Sequence, residues 1–288
     1  MSILRKPFTY TFNANTLNTA IAATTGFIAT GVGSWNIGTT NVMSPTVTAL
    51  VSSEVTAEVN KIELVIQVAA SVGTNNNMLF DLMYDDGSGA GWQTAISSIP
   101  LNQFGSTVGN ETIELPCRIP ANSHIGMRAQ AVFTGAVPAR ANVTAFGGSN
   151  DPTQSQYTQG VVVVGDNRTS TWGVPITPDS NAISLVSAAW QTIGTVPVDI
   201  RALRIGTMPP QATTVNAAGI SFQIGVNNNP LRGFPVGGRS YTTNEHQAGT
   251  GGHMTYDVQV EAGSVLLIRG RSSAGAPQQI AVIAHGVM

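Results

Sequence analysis

Short runs in which apolar and polar side chains alternate, broken at regular intervals by Gly, Asn, Asp or Pro, fill most of this 288-residue chain. Ile62, Leu64 and Ile66 fall on one face of such a run. Phe80, Leu82 and Tyr84 share a face in another, with Asp81 and Met83 opposite. A period of two is the mark of a half-buried antiparallel strand. On this basis strands are predicted over 46–53, 59–69, 77–84, 92–99, 112–115, 125–133 and 141–146. Turn residues separate them, among them Gly73–Asn77, Asp85–Gly91, Gly109-Asn110 and Pro120-Ala121-Asn122. Only Asn13–Thr25 has near-helical spacing, with Leu17, Ile21 and Ala22, and its Thr and Asn are poor helix formers. No βαβ alternation is visible. The predicted class is all-β, of sandwich type.

The second half of the chain then repeats the first. Ile119–Arg128 (IPANSHIGMR) aligns with Val260–Arg269 (VEAGSVLLIR). Phe80–Asp86 aligns with Phe222–Asn228, and Gly91-Trp92 falls on Gly233-Phe234. Leu64–Ile66 meets Leu203–Ile205, and Val143–Gly147 meets Val282–Gly286. Four blocks in one order at nearly one offset imply two copies of a single domain. The predicted organisation is an N-terminal arm at 1–45, a first sandwich at 46–148, a linker at 149–181 and a second sandwich at 182–288. Paired cysteines around a core Trp, the immunoglobulin marker, are absent, so a jelly-roll-like topology is preferred.

The arm and the linker have no aligned copy. Phe8, Tyr10 and Phe12 alternate in the arm, and Trp35 stands in a Gly-rich stretch. Two readings stay open for the arm: an edge strand of the first sandwich, or an extended arm docked on a neighbouring subunit. In the linker, Val161, Val162, Val163 and Val164 lie between two glycines and predict a strand buried on both faces, at a domain junction or a subunit interface. Left on an open edge, it would invite pairing with another chain. Trp35 and Trp172 are the expected aromatic anchors of intersubunit contact.

Composition narrows the function. Charged residues make up 10% of the chain, hydrophobic ones 42%, and the net charge is −2. Soluble domains carry about 25% charged residues. A charge-poor surface suggests cover by neighbours. Arg outnumbers Lys 11 to 2, which fits interfaces or, equally, codon bias. No basic run points to nucleic acid. No 18-residue apolar stretch spans a membrane, and no apolar segment follows the first residues as in a signal peptide. The sequons at Asn110, Asn142 and Asn167 are therefore read as coincidence. Cys117 stands alone and reads as a small buried hydrophobe.

Catalytic constellations are missing from the sequence. His124, His246, His253 and His285 have no partner at ligand spacing. Asp85–Gly89 lacks the alternating carboxylates of a calcium loop, and its counterpart reads Asn227-Asn228-Asn229, which points to a turn. Asp81 with Glu114, or Asp86 with Glu111, has no glycosidase spacing, and Gln223 stands where the first copy has Asp81. No catalytic residue, metal site or cofactor is expected.

The unprocessed polar arm, the charge-poor Thr/Ala/Gly/Val composition and the tandem sandwich with Asn-rich turns together resemble virion structural proteins of tailed bacteriophages, of the capsid decoration, cement or tail-associated type. The resemblance implies a non-enzymatic role in the virion, a homo-oligomer (a trimer by analogy with the class), and partners among the capsid or tail proteins, with neither nucleic acid nor membrane. The alternative is a tail- or fibre-associated receptor- or carbohydrate-binding module, and more remotely a glycan-processing enzyme.

Overall fold

The structure, a computed structural model, describes residues 28–50, 54–55, 58–68, 76–103, 109–115, 117–131, 135–147, 160–168, 172–208, 218–234, 237–241, 246–248, 255–273 and 279–288. Phe8, Tyr10, Phe12, the 13–25 segment and His253 lie outside them. The fold is all-β, and among the described residues the one helical element is a short 3-10 turn at Leu185–Ser187. No helix among the described residues is long and apolar enough to cross a membrane.

The first eight strands are β1 (Ile28–Ile37), β2 (Thr48–Ala49), β3 (Val59–Val68), β4 (Asn76–Asp85), β5 (Gln93–Gln103), β6 (Gly109–Leu115), β7 (His124–Ala131) and β8 (Gly135–Gly147). They form two antiparallel sheets of order β1-β8-β3-β6 and β2-β7-β4-β5. This interleaving is the eight-stranded jelly roll. Ile62, Leu64, Val143 and Ala145 of one sheet meet Phe80, Leu82, Ile96, Ile99 and Met127 of the other in a common core.

The same interleaving recurs. The remaining strands are β9 (Val161–Val164), β10 (Val174–Ile176), β11 (Gln191–Thr195), β12 (Ile200–Met208), β13 (Ala218–Val226), β14 (Asn229–Pro230), β15 (Gly237–Tyr241), β16 (His246–Ala248), β17 (Tyr256–Val260), β18 (Val265–Ser272) and β19 (Ile280–Val287). Their sheets run β10-β19-β12-β17, with β9 also on β19, and β11-β18-β13-β15-β16, with β14 on β13. Leu203, Ile205, Ile220, Phe222, Ile224, Ile268 and Val282 fill a second core. Phe80 and Phe222, Leu64 and Leu203, and Met127 and Ile268, aligned in the sequence, all point into their own cores. Register agrees as well: Met127 pairs with Leu82, and Ile268 with Ile224. The aligned turn positions Asn122 and Gly263 share left-handed backbone, with φ of 63° and 81°.

Two segments outside the predicted sandwich bounds are strands of the sandwiches. Of the two readings left open for the arm, the edge strand of the first sandwich holds for its later part: β1 is hydrogen-bonded along β8 from Ile28↔Val143 to Ile37↔Gly135. Its Gly, Ser and Thr residues gave no apolar alternation to announce it. The Val strand of the predicted linker is an edge strand of the second jelly roll: Val161–Val164 pairs with Val287–Ala284. Farther along, β10 pairs with Val282–Ile280 of the same β19. β9 and β10 are thus one strand position interrupted by residues 165–173.

Candidate functional site

Residues 165–168 and 172–173 lie off their sheet, in the space between the two jelly rolls. There the outer face of β2-β7-β4-β5 stacks on the outer face of β10-β19-β12-β17. Leu79, Trp172, Met208, Ala281 and Ile283 form a third apolar cluster at this joint, with Met43 and Val163 against it.

A bulge builds the polar centre of the joint. Phe80 pairs with Ile99 and Leu82 with Ile96, so Asp81 stands opposite two residues, Ser97 and Ser98. Ser98 has a φ of 55° and donates its N–H to Asp81 Oδ1 at 3.0 Å. Period-two alternation sends Asp81 to the outer face, where it is fully buried. Two guanidinium groups satisfy it. Arg128, its cross-strand neighbour, donates from Nε at 2.9 Å, and Arg168 donates from Nη1 and Nη2 at 2.9 and 2.8 Å. Arg168 also donates to Asp166 Oδ2, which accepts the Ser98 hydroxyl at 2.6 Å. The Arg168 carbonyl accepts the Gln130 amide at 2.8 Å. These carboxylate partners hold the Arg168 guanidinium above its ordinary pKa against the opposing cost of burial.

Beside this network lie Arg204 and His285, cross-strand neighbours on the outer face of the second jelly roll, both fully buried. His285 Nε2 lies 3.0 Å from the Ser97 carbonyl and Nδ1 lies 3.4 Å from Arg204 Nη1. Nε2 therefore carries the proton and Nδ1 accepts. Burial, with the Arg204 charge next in importance, depresses the His285 pKa to about 3. The imidazole is neutral at pH 7. Close approach is possible because residue 206 is Gly: a Cβ there would sit 2.6 Å from Pro100 Cγ.

The candidate residues are distributed unevenly. Trp172, expected at an exposed intersubunit contact, is fully buried inside the chain, with a φ of 63° and its backbone N–H donating to the Asn167 carbonyl. A Gly-rich, Thr-rich surrounding concealed that its neighbours come from three other strands. Val163 packs at the joint, Val161 against the first core, and Val162 and Val164 against the second. Trp35 lies on β1 opposite Val137. Cys117 is buried, and burial pushes its thiol pKa up to about 12. Asp85 and Asp86 accept the N–H groups of Gly87 and Ser88 within a turn. Among the described residues no group of three His, Cys, Asp or Glu side chains could hold a metal.

The sequence reading missed Asp81, Arg128, Arg168 and Asp166 as a unit. The aligned pair Gln223 and Arg269 shows what became of the same position in the second copy: Arg269 Nε donates to Gln223 Oε1 at 2.9 Å. Arg269 stacks 4.4 Å from the Trp190 ring centroid and donates to the Val186 carbonyl. A loop of the same chain, and not another sandwich, covers that face.

No family model and no curated protein matches the chain. Among solved structures, it is similar to PNGF-II in a C2 crystal form (7% identity, TM-score 0.38) and in a P21 form (8% identity, TM-score 0.42). The match covers 91% of this chain in both. The chain spans 65% and 66% of the length of those two chains. It is also similar to the N-terminal CBM22-1–CBM22-2 tandem domain of Xyn10C from Paenibacillus barcinonensis, at 10% identity and a TM-score of 0.21, covering 93% of this chain and 99% of that one.

Proposed function

We propose that this chain is a non-enzymatic structural protein of a tailed-phage virion, a capsid decoration, cement or tail-associated block that joins copies of itself and neighbouring shell or tail proteins. The observation that carries the reading is the joint. Two jelly rolls are held face to face by an ion network whose central carboxylate, Asp81, is fully buried and saturated by donors from both sides. Buried charges contribute little net stability but tolerate few alternative arrangements. Such a joint suits a part that must keep one shape within an assembly. The low charge content supports the reading, as do Ile183 and Val186, 90% and 75% exposed on one short loop. The proposed location is the virion, with no cofactor and no nucleic-acid partner.

An electron cryomicroscopy map of purified particles tests this. The proposal expects density for both jelly rolls in contact with several shell or tail subunits. A chain absent from particles, monomeric in solution and bound to glycans through its loops would overturn it in favour of a receptor- or carbohydrate-binding role.

A further inference from the structure

Away from the joint, the second jelly roll has an open cleft of about 650 Å³ between its two sheets. That volume lies within the range of small-molecule sites. The cleft is lined by Arg201 of β12, Asp257 and Gln259 of β17, and Pro230, Leu231 and Arg232 of the segment that follows the β13 turn. Asn227 and Asn228, with φ of 49° and 67°, make the two-residue turn that brings this segment back along β13. Gly233, at φ 84°, lets it pass the Asp257 carbonyl: a Cβ would lie 3.2 Å from that oxygen.

A bulge aims the cationic side chain. Ile200 pairs with Val260 and Ala202 with Asp257, so Arg201 alone opposes Val258 and Gln259. Bulges re-aim side chains in this way at sheet edges and beside sites. Arg201 is exposed between the buried Ile200 and Ala202. Neither Arg201 nor Arg232 takes part in an ion pair among the described residues. The aligned position for Arg232 in the first copy is Ala90, so the feature belongs to the second copy alone.

From this arrangement we propose that the cleft binds an acidic saccharide, a sugar carrying one carboxylate as in a uronic acid, independently of where the chain sits in an assembly. Guanidinium groups match carboxylates bidentately. Two Arg and one Asp give the lining a formal charge of +1, which suits a monoanion and disfavours a dianionic phosphate. Gln259 offers a hydrogen-bonding partner to hydroxyls, and Pro230 and Leu231 offer apolar surface to a sugar ring.

The test is an NMR titration of the whole chain with methyl galacturonide, a monoanion, with neutral methyl galactoside and galactose 6-phosphate as comparison probes. The expected result is saturable binding of the galacturonide, with shifts confined to residues 201, 226–233 and 257–259. The neutral galactoside and the phosphate should bind at least tenfold more weakly. R201Q and R232Q should each lose at least tenfold, while R118Q, at an exposed ion pair of the first jelly roll, should bind as the wild type does. Both cleft arginines are exposed, so the variants are expected to fold; should either fail to, the wild-type shift map and probe ranking decide alone. Equal binding of the neutral sugar, tighter binding of the phosphate, shifts elsewhere, unaffected Arg variants or no saturation at millimolar concentration would each overturn the proposal.

Discussion

Acid should open the joint through His285. Its ring is fully buried, with Nε2 at the Ser97 carbonyl and Nδ1 at Arg204. Its pKa falls from 6.5 to about 3, chiefly through burial. Above pH 6.5 both the folded and the unfolded chain hold this residue neutral. Below that value the unfolded chain takes a proton that the folded chain refuses, so stability falls as pH falls, and the loss ends near pH 3. Each pH unit costs about 1.4 kcal/mol. At pH 4.5, two units below the unfolded value, His285 alone should remove about 2.7 kcal/mol. Acid protonates other groups of the chain as well, so the comparison needs a variant. H285Q keeps an N–H donor for the Ser97 carbonyl and cannot be protonated. Urea denaturation of both proteins at pH 7 and pH 4.5 gives four stabilities. Wild type should lose about 2–3 kcal/mol more than H285Q between the two pH values. Equal losses in the two proteins would refute the argument.

Other outcomes follow from the same contacts. D81A should destabilise by about 3–5 kcal/mol in urea denaturation, because two guanidinium groups and the Ser98 N–H lose their acceptor. W172A should cost about 3–5 kcal/mol by emptying the largest side chain from the joint. G206A should cost about 1–3 kcal/mol, because its Cβ would meet Pro100, and a companion P100A should recover part of the loss. Deleting residues 1–40 removes β1 and should lower the melting temperature of the chain in calorimetry, whereas an unchanged transition would show that β8 does without its neighbour.

Local physics made most of the strands legible. Phe80, Leu82, Ile62 and Leu64 face the core as their alternation requires, and Asn227-Asn228 takes the turn that its residue types favour. The joint was not legible, because its partners come from distant parts of the chain. Arg168 reaches Asp81 across 87 residues, and nothing near either residue announces the other. The Asp81-to-Gln223 difference argued against a shared carboxylate site and was consistent with that. It also marked the one face of the first copy that another sandwich covers. The Ser97-Ser98 and Val258-Gln259 bulges break alternation by a single residue, below what a period-two reading resolves. Trp172 looked exposed because its own neighbourhood is polar. Its burial comes from β4, β12 and β19.

Scanning calorimetry of the whole chain at pH 7 tests the rigid joint most directly. Two jelly rolls fixed by Asp81, Arg168, His285 and Trp172 should unfold in one transition, with the van't Hoff enthalpy equal to the calorimetric enthalpy, and D81A should split that transition in two. Two separate transitions in the wild type, unmoved by D81A, would contradict the account.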